Sequence, residues 1–180
     1  THFVSRSKGI NTNARTLEMD GMHVSLASGG AYVALHSGFW RQLESMPAGR
    51  KFRASVSSYS GSSAGALVGS QLALGVPGRA ISEDVLRGGL GRYKYLRGLA
   101  VYLGAMKNMY SGQGYYDRML RLGANRQHRR VPIQIAVTDP QLEQHCVRYG
   151  PQADSGQLLN AALASASIPW VLAARQVPPH

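Results

Sequence analysis

YSGSSAGALVGSQLALG (residues 59–75) is a run of Gly, Ala and Ser that turns apolar, and its reading decides the fold. Two readings compete. Gly61, Ser62, Ser63, Ala64 and Gly65 match G-x-S-x-G, in which a serine on a strained strand-to-helix turn is lifted above a sheet. Gly61 and Gly65 then serve the elbow, because such a turn has no room for side chains. Ser63 would sit at a helix N-terminus, where the dipole and free N–H groups favour developing negative charge, and the Ala64 N–H would be one oxyanion donor. Alternatively, Gly61, Gly65 and Gly69, spaced by four, form one slim helix face for close packing, and Ser63 is merely an N-cap.

Working outward, the same grammar recurs upstream. MHVSLA (residues 22–27) alternates as a short strand, Ser28, Gly29 and Gly30 make a turn, and residues 31–45 carry apolar side chains at helical spacing. Residues 52–58 are β-prone, 59–62 supply a second turn, and 63–74 are helix-compatible, closed by Pro77 and Gly78. A Gly-rich helix start at Gly29, Gly30 and Ala31 can supply further oxyanion donors to Ser63. Downstream, residues 81–86, 99–109 and 115–122 read as helices, VPIQIAVT (131–138) and QHCVRY (144–149) as strands, and 156–167 as an Ala-rich helix ended by Pro169. Strands alternating with helices predict an α/β fold, with a mostly parallel central sheet and helices on both faces.

Composition bounds the function. At 180 residues, 44% hydrophobic and 16% charged, the chain forms one domain able to bury a core. Residues 1–20, without periodicity, read as a flexible basic arm, and the folded part begins near Gly21. A net charge of +11 attracts anionic partners, among them phospholipid headgroups. The basic residues are scattered apart from RQHRR (126–130), with no interleaved aromatic platform, which argues against nucleic acid. The lone Cys146 excludes an internal disulfide and a thiolate metal cluster and reads as a small buried or half-buried side chain. His23, His128 and His145 lack paired ligand spacing, and no phosphate-loop motif stands among the glycines at 88–91 or 112–114. No cofactor is expected. No apolar run reaches eighteen residues and no signal-peptide core is visible, which gives a cytoplasmic or peripheral membrane expectation, with a removed leader left open by the N-terminal Thr.

Three stretches resemble the patatin-like phospholipases: LASGGAYVALHSGFWRQLE (26–44) as oxyanion loop and helix, YSGSSAGALVG (59–69) as the G-x-S-x-G turn, and ALASASIPWVL (162–172) as the family's A-S-x-x-I-P segment. The resemblance implies a three-layer sandwich and a lipid acyl hydrolase. Ser63 would be the nucleophile, and N–H groups of Gly29, Gly30, Ala31 and Ala64 the oxyanion hole. Ser28, Tyr32 and Val33 depart from the family's G-G-G-x-R/K-G loop.

The family pairs its serine with an Asp in D-G-G or D-G-A, and none of Asp20, Asp84, Asp117, Asp139 and Asp154 is followed by such residues. The expectation is that residues 21–180 lack the family's C-terminal part, with the base Asp on a longer chain or a second chain. A catalytically inactive interaction or lipid-binding module is the alternative. Ordinary triads in chain order, Ser63–Asp139–His145 or Ser63–Asp154–His180, are the rival enzyme reading. His36 is expected to pack or to hydrogen-bond behind the oxyanion loop. Tyr93, Tyr95, Tyr102, Tyr110, Tyr115 and Tyr116, interspersed with Leu, Met and Arg, could form an aromatic surface that touches an anionic membrane, although core packing is the commoner explanation for such side chains.

Overall fold

A computed structural model describes residues 21–30, 32–87, 112–124, 126–139, 141, 143–167, 175 and 177. The arm at 1–20, the helix expected at 99–109, Pro169 and His180 lie outside the described residues, as do Ala31, Tyr93, Tyr95, Tyr102 and Tyr110. The described chain runs β1 (Met22–Leu26), α1 (Tyr32–Ser45), α2 (Pro47–Ser55), β2 (Val56–Ser62), α3 (Ala64–Ala73), α4 (Gly78–Leu86), α5 (Gln113–Ala124), β3 (Ile133–Thr138), β4 (Gln144–Tyr149) and α6 (Ser155–Ser165). The strands form one sheet in the order β1-β2-β3-β4, parallel except for the antiparallel pair β3–β4. This is the α/β class with a mostly parallel sheet that the alternating pattern predicts.

Register decides where chemistry can sit. Leu26 pairs with Gly61, Gly61 with Ile135, and Ser62 with Ala136. The carboxyl ends of the three parallel strands therefore lie level, and the segments that follow them, residues 27–30, Ser63 and Asp139, share one edge. In open α/β sheets ligands bind beyond the carboxyl ends of the strands.

Helix α3 is buried at all ten positions and packs on β1, β2 and β3. Its Gly, Ala and Ser content is the reason it can lie so close. Leu26, Tyr59, Ile133 and Ile135 are buried in the same core, and α6 closes it against β3 and α3. The alternate strand residues form a polar face, on which His23 bridges Ser58 Oγ (2.7 Å) and Ser60 Oγ (2.9 Å) across β1 and β2. His23 is thus a structural histidine.

The segment read as β-prone from residue 52 is instead helical up to Ser55, and β2 extends through the residues read as a turn. Pro47 explains the change. Placed in the first turn of α2, it has a preset φ and no N–H to leave unsatisfied. Arg50 then donates to the carbonyls of Glu44 (3.2 Å) and Ser45 (3.1 Å), fastening α2 to the end of α1. Gly114 lies within α5, and Cys146 is exposed on β4, where the sequence suggested a buried or half-buried side chain. Cys146 pairs with exposed Ala136, on the face of the sheet opposite buried Ile133 and Ile135, which the alternation of QHCVRY did not reveal.

At the amino end of the sheet a buried cation joins helix to strand. Arg53 is 5% exposed; it donates to Tyr59 Oη and to the carbonyl of Leu72 (2.6 Å), and its Nε lies 3.5 Å from Glu44 Oε1. Burial lowers its pKa to about 10, opposed by Glu44. Glu44 also accepts from the Gly78 N–H (2.7 Å), supplying the N-terminus of α4 with the cap that Pro77 cannot offer.

Candidate active site

Ser63 has φ 50° and ψ −119°, the only positive φ of a non-glycine among the described residues. Such a conformation costs about 1–3 kcal/mol and persists only where the surroundings over-determine it. Here they do. A Cβ on Gly61 would lie 2.6 Å from the Gly65 carbonyl carbon and oxygen, and one on Gly65 only 2.1 Å from the Leu26 carbonyl oxygen. Gly69 continues the row against Leu26 and Ile133. The slim packing face and the strained turn are therefore the same object: close approach of α3 to the strands forces the sharp turn.

The cap reading of Ser63 fails. Its side chain makes no capping hydrogen bond, while its carbonyl accepts from Leu67 N–H (3.0 Å) to begin the helix. Ser63 is half-buried. Ala64 follows as the first residue of α3, where an N–H has no partner within the helix.

Sequence reasoning missed one residue of the site. Ser165, at the end of α6, accepts the Ser63 N–H (2.8 Å) and donates to the Ala136 carbonyl on β3 (2.5 Å). It fixes the turn to the neighbouring strand and removes the Ser63 N–H from the set of free donors. The signal was present: Ser165 is the serine of the A-S-x-x-I-P match.

The first turn stands beside the second because β1 and β2 are paired neighbours. Gly29 has φ 127°, a conformation that strongly favours glycine, and a Cβ there would lie 3.0 Å from the Tyr32 ring. The Gly29 carbonyl accepts from Tyr32 N–H (2.8 Å) and the Gly30 carbonyl from Val33 N–H (3.5 Å), so both enter the first turn of α1. A Cβ on Gly30 would meet nothing within 4 Å, which leaves open space above the loop. Ala31 lies outside the described residues. His36 Nε2 hydrogen-bonds the Ala27 carbonyl (3.0 Å), the supporting contact expected of it behind the loop.

The described Asp side chains are engaged elsewhere. Asp84 is ion-paired with Arg118, and Asp117 accepts from Gln113 (2.8 Å). Asp154 caps α6 by accepting from Gln157 N–H (2.9 Å). Asp139 accepts from Glu143 N–H (2.9 Å) and bonds His145 Nε2 (2.9 Å); that imidazole contact holds its carboxyl below the usual range. The Asp139–His145 pair of the rival triad does form, yet no hydrogen bond joins it to Ser63 among the described residues. Asp139, Glu143 and His145 bring one ligand atom each within 4.8 Å of one another, on an exposed surface.

A model of the family described as patatin-like phospholipase matches residues 24–180. The chain belongs to the patatin-like phospholipase family. Among solved structures it is similar to the type III effector protein ExoU, with 18% identity over 84% of this chain and 39% of that one, and a TM-score of 0.48. It is also similar to full-length ExoU in complex with full-length SpcU from the type III secretion system of Pseudomonas aeruginosa. The figures there are 15% identity, 81% and 38% coverage, and a TM-score of 0.46. For the heterodimeric ExoU–SpcU complex of the same organism they are 20%, 84%, 37% and 0.43. The chain spans 39% of the length of the first of these relatives. No curated protein matches it. No helix among the described residues is long and apolar enough to cross a membrane.

Proposed function

We propose that the protein is a lipid acyl hydrolase that cleaves an ester through an acyl-enzyme on Ser63. The observation that carries the reading is the strained φ of Ser63 at the start of a buried helix, with its hydroxyl unspent on capping. In this reading Ser63 Oγ attacks the ester carbonyl carbon and passes its proton to an Asp carboxylate. N–H groups of Gly29, Gly30, Ala31 and Ala64 hold the oxyanion. The alcohol leaves with the proton, and water, deprotonated by the same Asp, releases the fatty acid.

The Asp is supplied by residues outside those described or by a second chain, because each described Asp already has its own partner. That engagement is also what favours the second reading, a patatin-fold lipid-binding module without turnover. Release of fatty acid from phosphatidylcholine and from a short-chain nitrophenyl ester separates the two. The hydrolase reading expects turnover that vanishes in Ser63→Ala; turnover that survives this substitution, or lipid binding without turnover in the full-length chain, contradicts it.

A further inference from the structure

Helix α1 is apolar on two opposite faces. Val33, Ser37 and Trp40 turn inward and are buried. On the other side Tyr32, Leu35 and Phe39 recur at helical spacing, with Leu35 63% and Phe39 56% exposed, and Met46, the extended N-cap residue of α2, is exposed just beyond the helix end. Four of the seven large hydrophobic side chains exposed among the described residues lie on this side of α1 or just beyond its end.

We propose that this stripe is a docking surface for an anionic phospholipid bilayer, with α1 lying in the plane of the interface. The inference rests on the lipid hydrolase reading for its purpose but not for its test. Three observations select a membrane as the occupant. The stripe begins at Tyr32, whose ring packs against Gly29, so a bilayer that takes up the stripe meets the oxyanion loop at its end. Exposed Arg50 lies one turn beyond Met46 and is followed by exposed Lys51, to meet lipid phosphates at the rim. A net charge of +11 attracts an anionic surface and repels a second copy of the same chain. Apolar side chains backed by basic ones on a surface helix are the arrangement that holds interfacial helices at the headgroup boundary.

The test is co-sedimentation of the purified chain with vesicles of phosphatidylcholine and phosphatidylglycerol in a two-to-one ratio. Both substituted side chains are exposed, so the Leu35→Ser/Phe39→Ser variant should keep its circular dichroism. It should lose about a hundredfold in partitioning, roughly tenfold for each lost apolar group. Leu35→Ser alone, expected to lose about tenfold, serves if the double variant folds poorly. Ala34→Gln, exposed on another side of α1, should bind as the parent does. The proposal is overturned if the double variant binds like the parent or if the parent ignores the vesicles. It is equally overturned if the parent is a dimer that the double variant dissociates, for the stripe is then a self-interface. Vesicle binding without ester turnover would retain the docking surface and remove the hydrolase; turnover without vesicle binding would do the reverse.

Discussion

The turn from β1 into α1 bends at a glycine with φ 127°, whereas the turn from β2 into α3 bends at a serine with φ 50°. The helices that follow differ in the same sense: α3 is buried at every position, while α1 leaves one apolar face open. A turn followed by a half-exposed helix lacks enclosing packing and uses glycine to reach its geometry without strain. A turn wedged against the carbonyl of Leu26 and pinned by Ser165 can hold an L-residue in an unfavourable conformation. Strain at Ser63 is thus a property of the packing around α3.

The comparison breaks first at Gly65. If close approach of α3 sets the turn, Gly65→Ala drives a Cβ into the Leu26 carbonyl and should cost about 3 kcal/mol in urea unfolding. A cost near zero would mean that the helix can back away. The two bends should next respond in opposite directions. Gly29→Ala should lower stability by about 2 kcal/mol, since an L-residue is disfavoured at that φ. Ser63→Gly should raise it by about 1 kcal/mol by releasing strain. Like signs from the two would dissolve the contrast.

Ser165→Ala, which removes the pin, should cost about 1 kcal/mol. The smallest effect lies far from both turns. Burial and the neighbouring Arg53 lower the pKa of His128, with Glu44 opposing. The unfolded chain therefore binds the imidazole proton more tightly, and the contribution to stability is full above the ordinary imidazole pKa and declines on acidification. His128→Gln should flatten the loss of stability between about pH 7 and pH 5.

Much of this was written in the local pattern. The alternation of MHVSLA and VPIQIAVT placed β1 and β3, and the glycines on either side of Ser63 located the turn. The α2 helix was not legible, because Phe52 and Val56 read as the start of a strand and the helix depends on Pro47 and on Arg50 reaching back to α1. Ser165 stood in the A-S-x-x-I-P match, but its role escaped because the contact with Ser63 spans 102 residues of chain and is set by tertiary packing. The exposed stripe of α1 was hidden for a related reason. Apolar periodicity marks a helix as amphipathic, and only the packing shows that a second apolar face stays uncovered.

The most direct test of the central claim is fluorophosphonate labelling followed by peptide mass mapping. An activated serine at the strained turn predicts a single adduct on the peptide carrying Ser63, lost in Ser63→Ala and weakened in Ser165→Ala. No adduct, or one on a different serine that persists in Ser63→Ala, would contradict the account.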